Sequence, residues 1–253
     1  MTFHATHFPA LSPDFRLEPD EVHVWCADLR QLAGRAAEFE LILSPEERQK
    51  AARFYFADDR ERYVSARGLL RTLLGAYLRK PPAELSFSYN AWGKPALSDC
   101  ALEFNLSHSR DLALYALARD RAVGIDVEFI RDDPACLEIA EGHFSRREVK
   151  TLRALHRSQR APAFFNCWTR KEALIKAQGQ GLSLPLNAFD VSLAPGEPAA
   201  LLNVEAAARE LSRWSLQALT PAPNYVAAVA AIGGGWRLCC RQWPSHPLPN
   251  LEE

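Results

Sequence analysis

The sequence predicts an α+β protein made of two similar halves, each with helices packed on a mostly antiparallel sheet. Short segments of alternating apolar and polar residues flank two long segments with helical periodicity. Helix-start and turn signals recur in the same order along both parts of the chain. We therefore expect an N-terminal half at residues 1–121 and a C-terminal half at residues 122–253, related by a pseudo-twofold axis.

In the first half, residues 22–25 alternate as a β-strand does. Ser44 and Glu47 form a capping box around a proline that suits the first helical position, so a helix is expected from there to about Phe56. Residues 59–79 carry apolar side chains at helical spacing and predict a second helix. The remaining expected elements are strands near residues 85–89, 102–106 and 112–116, a turn at residues 90–95 and a connection at residues 107–110.

The second half repeats this order. Alternation over Val123–Phe129 predicts a strand, and Ser145 with Glu148 forms another capping box. Gly179 ends the last predicted helix. Helices are expected over residues 146–155 and 163–177, and strands near residues 189–193, 214–218, 225–231 and 236–242.

The composition excludes several classes of protein. Lys and Arg total 30 and Asp and Glu total 31, so the net charge of -1 gives no field that would attract nucleic acid or a membrane surface. The longest apolar run, residues 225–232, is far shorter than the roughly 20 residues of a spanning helix. The N-terminus lacks signal-peptide features, and the six cysteines include no Cys-x-x-Cys pair. We expect a reduced, cytoplasmic protein that binds neither nucleic acid nor membranes.

Two carboxylates in the segment Gly-Ile-Asp-Val-Glu provide the first candidate site. Asp126 and Glu128 share the polar face of the predicted strand, about 7 Å apart. Carboxylates placed in this way can hold Mg²⁺ together with substrate phosphates. Taken alone, the pair is more typical of a half-exposed strand that presents acids to solvent.

A second candidate group lies on one face of a predicted helix, at Trp168, Glu172 and Lys176. Glu172 in that setting could be a third metal ligand or a base, although a surface Glu–Lys pair is the simpler interpretation. A third group consists of cations on or near the helix at residues 59–79: Arg60, Arg67 and Arg71, extended by Arg48, Lys50, Lys94 and His108. Such arginines suit phosphate binding, or they are solvated basic faces.

Common nucleotide and hydrolase motifs are absent from the sequence, namely the P-loop, the dinucleotide-binding Gly-x-Gly-x-x-Gly, His-Glu-x-x-His and Gly-x-Ser-x-Gly. The remaining candidate is a site for a metal and phosphates built from carboxylates and cations.

The motifs together resemble the 4'-phosphopantetheinyl transferases of the larger, surfactin-synthetase-activating type. Residues 124–128 and the run Trp-x-x-Lys-Glu-Ala-x-x-Lys at 168–176 match the paired signature of that family, with 44 residues between Glu128 and Glu172. Further matches occur in the expected order at residues 44–46, 53–55, 93–95, 105–109 and 181–186. The resemblance extends from about Ser44 to Asp190.

The resemblance implies transfer of the phosphopantetheine arm of coenzyme A to a serine of an acyl, peptidyl or aryl carrier protein. It assigns Asp126, Glu128 and Glu172 to Mg²⁺, with Mn²⁺ as a possible substitute. Lys176 is then a catalytic contact to the pyrophosphate, and Glu172 is the candidate base. The implied coenzyme A contacts are Arg48, Lys50, Arg67, Gly93, Lys94, Pro95, Ser107, His108, Lys171 and Lys176.

Within those contacts, the resemblance places Ser107 and His108 at the 3'-phosphate and residues 93–95 at the adenine. Two positions depart from the family pattern, since Glu47 stands where Lys is common and Tyr63 where Thr can bind phosphate. Arg48 or Arg67 would then supply the missing charge. The two-half chain also implies a monomer.

Two other functions fit the same residues. A Mg²⁺-dependent hydrolase would use water in place of the carrier serine to cleave coenzyme A or a similar pyrophosphate. A non-catalytic coenzyme A-binding protein would have no need for Asp126, Glu128, Glu172 and Lys176 together.

Overall fold

The same order of helices and strands occurs twice along the chain. The computed structural model describes residues 16–98, 100–179, 181, 184–204 and 206–243. The first half contains β1 (Glu21–Asp28), α1 (Ala36–Ile42), α2 (Pro45–Ala51), α3 (Ala57–Leu78), β2 (Phe87–Tyr89), β3 (Pro95–Leu97), β4 (Leu102–Ser109) and β5 (Leu112–Arg119). The second contains β6 (Val123–Phe129), α4 (Cys136–His143), α5 (Arg146–Ala154), α6 (Arg157–Gln178), β7 (Phe189–Val191), β8 (Leu201–Val204), β9 (Trp214–Leu219) and β10 (Tyr225–Ile232). The predicted α+β fold with two similar halves is confirmed.

Strand pairing follows the same scheme in both halves. β1 pairs antiparallel with β5, which pairs with β4, and β6 pairs antiparallel with β10, which pairs with β9. The final strand, β11 (Arg237–Gln242), departs from the expected division at residue 121. It pairs in parallel with β1 and so extends the sheet of the first half to the order β11-β1-β5-β4. No local pattern in the sequence predicts that the first and last strands pair with each other.

Apolar side chains form three layers. One layer lies between α3 and its sheet, another between α6 and its sheet, and the third joins the two sheets. Alternate residues of β6 belong to this third layer, including Val123, Ile125 and Val127. The polar face of β6 is therefore turned toward α6, as the alternation predicts. No helix among the described residues has both the length and the apolar character needed to cross a membrane.

Both predicted capping boxes are present, with reciprocal bonds between Ser44 and Glu47 and between Ser145 and Glu148. Helix bounds differ from expectation at two places. α2 ends at Ala51 rather than near Phe56, because residues 52–56 turn the chain into α3. α6 begins at Arg157, six residues earlier than expected, where the His156 side chain accepts a bond from the backbone N–H of Ser158.

β4 also continues beyond its expected end, through the Ser-His-Ser segment to Ser109. The side chains of Asn105, Ser107 and Ser109 accept hydrogen bonds from three backbone N–H groups of β6, those of Ile125, Val127 and Phe129, at 2.9, 3.4 and 3.1 Å. These bonds join the two sheets, so the polar residues expected to form a connection are strand residues with a structural purpose.

Close packing of α6 on β6 depends on Gly124. A Cβ atom there would lie 2.2 Å from the carbonyl oxygen of Ala173 and 2.3 Å from the backbone nitrogen of Ala177. Helix backbone cannot yield as a flexible side chain does, so any larger residue would push α6 away from the strand.

We therefore predict that Gly124→Ala destabilises the protein by about 1–3 kcal/mol, the usual cost of overpacking. Gly142→Ala is the matched control, because a Cβ atom there on α4 meets nothing within 4 Å. It should leave stability unchanged or raise it by up to about 1 kcal/mol. Urea unfolding of both variants would measure this, and equal midpoints for the two would contradict the packing argument.

Candidate functional site

The three predicted metal-binding carboxylates lie where β6 and α6 cross. Asp126 is buried, whereas Glu128 and Glu172 are half-buried. The Lys176 ammonium forms an ion pair with Asp126 Oδ1 at 2.6 Å. Alternation along β6 and the four-residue spacing along α6 therefore bring these four side chains to one place, as the sequence predicts.

Two serines of β4 orient the carboxylates of β6. Ser107 donates its hydroxyl to Asp126 Oδ1 at 2.8 Å and accepts a bond from Lys176 Nζ at 3.1 Å. Ser109 donates to Glu128 Oε2 at 2.9 Å. The Ser107 hydroxyl is buried and also accepts from the backbone of β6, so its expected contact with a 3'-phosphate stays a prediction.

The acidic cluster is electrostatically strained. Burial raises the pKa of Glu172 above its usual value, and the charges of Asp126 and Glu128 raise it further while Lys176 lowers it. Burial also raises the pKa of Glu128, with Asp126 acting in the same direction against the Ser109 hydrogen bond. Carboxylates crowded in this way are stabilised by a cation or by a proton.

The residues fit a hard divalent cation. All three candidate ligands are carboxylates, and Asp126 Oδ2 is buried with no hydrogen-bond partner among the described residues. An acceptor left in this state is stabilised by a metal. The three carboxylates do not bring one oxygen each within 4.8 Å of one another, so a shared ion would require small side-chain movements.

A cavity of about 520 Å³ lies against the β4 side of this cluster. Five of the predicted coenzyme A contacts line it: Lys50, Arg67, Gly93, Pro95 and His108. Arg53 and Tyr89 also line it, although the sequence predicted no role for either. Arg53 lies within the segment at residues 53–55 that matches the family, and that match is the signal that could have identified it.

His108 connects the cavity with the acidic cluster. The surrounding protein desolvates the His108 ring, and this lowers the pKa of His108. The positive charges of Lys176 and Arg62 act in the same direction. The ring is exposed at the cavity wall in its neutral form at pH 7.

Three other predicted contacts have partners within the protein. Lys171 is fully buried, pairs with Glu148 at 2.9 Å and donates to two backbone carbonyls. Lys94 donates to the carbonyls of Val123 and Ala177, at 3.2 and 3.0 Å, and does not line the cavity. Arg48 donates to the carbonyl of Leu43 and also lies outside the cavity lining.

The two positions that depart from the family pattern both face the cavity. Glu47 pairs with Arg67 and, at 2.6 Å, with Arg71. The single negative charge of Glu47 is shared between two arginines, so the group keeps one positive charge, and Arg67 also donates to the Tyr89 hydroxyl at 2.7 Å. Burial raises the pKa of Tyr63 to about 12, so its hydroxyl stays protonated and available as a donor.

Known proteins match the chain along nearly its whole length. A family model for the N-terminal part of 4'-phosphopantetheinyl transferases matches residues 34–119, and one for the 4'-phosphopantetheinyl transferase superfamily matches residues 122–230. The 4'-phosphopantetheinyl transferase HetI of Nostoc sp. is 41% identical over 229 residues, which cover 89% of this chain and 93% of the relative. The chain belongs to the 4'-phosphopantetheinyl transferase family.

More distant members of the family are also similar. The 4'-phosphopantetheinyl transferase Sfp of Bacillus subtilis is 35% identical over 156 residues, 61% of this chain and 68% of the relative. A phosphopantetheinyl transferase of Thraustochytrium sp. is 30% identical over 185 residues, 68% of this chain and 64% of the relative. The resemblance found in the motifs is thereby confirmed at the level of the family.

We predict that Glu172→Gln stabilises the metal-free protein at neutral pH, because it removes a charge that burial and Asp126 disfavour. When folding raises the pKa of a carboxyl group, the group lowers the free energy of unfolding at a pH above that raised pKa. At a pH below the group's ordinary pKa of 4.5 it has no such effect. The gain in melting temperature over wild type should therefore shrink as the pH falls from 7.5 toward 4.5.

Thermal melts in a chelator would measure this difference at each pH. Glu138→Gln, at an exposed position on α4, is the control and should show little effect at any pH. A gain for Glu172→Gln that is the same at every pH would contradict the electrostatic origin.

Proposed function

We propose that the chain transfers the 4'-phosphopantetheine arm of coenzyme A to a serine of an acyl, peptidyl or aryl carrier protein. The observation that supports this most directly is the acidic cluster of Asp126, Glu128 and Glu172 beside a cavity with basic side chains. Phosphoryl-type transfer needs charge neutralisation and positioning more than covalent chemistry. This arrangement supplies both, next to a space that accommodates a nucleotide.

The proposed ligands of Mg²⁺ are Asp126, Glu128 and Glu172, with Mn²⁺ as the alternative metal. Asp126 offers its two oxygens to different partners, Oδ1 to Lys176 and the unpartnered Oδ2 to the metal. The bound ion would neutralise negative charge on the pyrophosphate as the leaving group departs. Lys176 adds a positive charge at the same place, and its half-exposed side chain can turn toward a phosphate oxygen.

Glu172 is the proposed general base, either directly or through a bound water. The carrier serine gives its hydroxyl proton to Glu172 while its oxygen forms a bond to the β-phosphorus. The bond from that phosphorus to the bridging oxygen breaks, and adenosine 3',5'-bisphosphate leaves. A Glu172 oxygen that does not bind the ion would accept the serine proton.

The nucleotide end of coenzyme A is proposed to occupy the cavity of about 520 Å³. Lys50 and Arg53 are exposed at its wall and carry the positive charge available for the 3'-phosphate, beside neutral His108. Arg67 contributes less charge because Glu47 pairs with it. Gly93 and Pro95 bound the adenine side.

A coenzyme A hydrolase remains the second candidate because water could replace the serine at the same site, and intact-mass analysis of an apo-carrier protein separates the two. A mass gain equal to one phosphopantetheine supports transfer, whereas adenosine 3',5'-bisphosphate released without it supports hydrolysis.

We further propose that the protein acts as a cytoplasmic monomer. The six cysteines are all free, which suits a reducing compartment.

We predict that Glu172→Gln abolishes transfer although it stabilises the metal-free fold. Loss of a base alone costs about 10²–10⁴-fold in rate, and loss of a metal ligand adds to this. Asp126→Asn should instead raise the Mg²⁺ concentration needed for half-maximal rate. The measurement is the rate of holo-carrier formation across a Mg²⁺ series. A Glu172→Gln rate above about a tenth of wild type at saturating Mg²⁺ would mean that Glu172 is neither the base nor a required ligand.

We also predict that Lys50→Ala raises the KM for coenzyme A but leaves the KM for 3'-dephospho-coenzyme A nearly unchanged. A charge-assisted bond of about 1.5–3 kcal/mol corresponds to a rise of roughly 10-fold to 150-fold. Lys80→Ala, an exposed position just after α3, is the matched control. Equal rises with both substrates would place the 3'-phosphate away from Lys50.

A further inference from the structure

A second group of ligand-type side chains lies outside the cleft, at Glu21, His23 and Cys239. One ligand atom from each lies within 4.8 Å of the other two. Among the described residues, no other set of three His, Cys, Asp or Glu side chains converges so closely. His23 and Cys239 are register partners on the parallel strands β1 and β11, and Glu21 precedes His23 by two residues on the same face. The topology of the sheet therefore brings the three together.

The existing contacts already resemble the spacing of ligands around an ion. His23 Nε2 lies 3.0 Å from Glu21 Oε2, and Cys239 Sγ lies 3.5 Å from Glu21 Oε1. Ligands of a tetrahedral zinc ion, at about 2.0–2.3 Å from the metal, are roughly 3.5 Å from one another. Only small side-chain movements would admit an ion at the centre.

The His23 ring is also oriented as a metal-binding imidazole is. Its Nδ1 atom lies 2.7 Å from the Tyr77 hydroxyl, which accepts a bond from Trp25 Nε1 at 2.9 Å. In the metal-free protein Nε2–H donates to the Glu21 carboxylate and the Tyr77 hydroxyl donates to Nδ1. Binding of an ion at Nε2 would require the other tautomer, with the ring proton on Nδ1 and directed at the Tyr77 oxygen. An outer partner that fixes the tautomer in this way is typical of metal sites.

We propose that Glu21, His23 and Cys239 form a zinc site that fastens β11 to β1. One thiolate, one imidazole and one carboxylate match the mixed ligands that Zn²⁺ accepts, whereas Mg²⁺ takes oxygen ligands. Binding replaces the thiol proton of Cys239, which passes to solvent, and leaves a fourth position for water.

The competing interpretation is that His23 has its hydrogen bonds satisfied without a metal. Glu21 likewise has a second partner, Arg237, at 3.0 Å. The Arg237 side chain is mostly exposed, so it can move away when an ion arrives. Glu21 and His23 lie on β1, which is two inter-strand spacings, or about 10 Å, from β4 at the cleft side in the order β11-β1-β5-β4. The zinc is therefore expected to stabilise the fold without taking part in transfer.

Cobalt is the probe for the coordination itself. In the full-length protein with saturating Mg²⁺, which occupies the carboxylate cluster, one equivalent of Co²⁺ should produce a thiolate-to-cobalt charge-transfer band. Cys239→Ser should abolish this band. Cys240→Ser is the matched control, since the Cys240 side chain packs on the opposite face of β11, in the layer between the sheets. Cys100→Ser controls for a partly exposed thiol elsewhere. Both controls should retain the band.

Zinc affinity provides the second measurement, by competition with a chromophoric chelator. Loss of an outer partner costs about 10–100-fold in metal affinity, so Cys239→Ser, which removes a ligand, should cost more than 100-fold. Zn²⁺ should raise the melting temperature of wild type and of Cys240→Ser but not of Cys239→Ser. The metal-free Cys239→Ser protein should melt near wild type, which shows that it folds. A wild-type protein with no thiolate band, or one whose band survives in Cys239→Ser, would overturn the proposal.

Discussion

Along one edge of β6, three side chains of β4 accept the hydrogen bonds that the backbone carbonyls of a neighbouring strand would otherwise accept. The cleft depends on these three bonds. Asn105, Ser107 and Ser109 accept from the β6 backbone, while the two serine hydroxyls donate to Asp126 and Glu128. The bonds that join the halves therefore also orient the carboxylates. A serine hydroxyl can do both because it has one donor and two acceptor positions. Any movement of one half against the other would misplace the acidic cluster.

Burial separates the structural cations from those available to a ligand. Arg71 and Lys171 are fully buried, and each is paired with the glutamate of a capping box, Glu47 or Glu148. A buried charge without such a partner would be strongly destabilising, so these side chains are committed to the fold. Lys176 is only partly buried and Lys50 is exposed. Their ammonium groups can reach phosphate without breaking the core.

Structural features that depend on neighbouring residues could be predicted from local sequence patterns. Features that depend on long-range contacts could not. The capping box at Ser44 and the alternation around Asp126 were read correctly because a few adjacent residues determine them. The contacts of Lys94 with the carbonyls of Val123 and Ala177 could not be predicted, because those residues are distant in the chain. The pairing of β11 with β1 is equally non-local. Sequence motifs thus identified the acidic cluster, but the identity of the free cations required knowledge of burial.

The two halves share an order of elements, yet only one can hold an acidic cluster between its long helix and first strand. In the second half, Gly124 lets the backbone of α6 approach β6 closely, so Glu172 and Lys176 reach Asp126. In the first half, the corresponding crossing of α3 and β1 contains His23 against Tyr77, two large side chains joined by a hydrogen bond. The same face of β1 carries Trp25 and Ala27, which pack in the apolar layer beneath α3, where β6 carries Asp126 and Glu128. The first half therefore has apolar packing at the crossing where the second half has carboxylates.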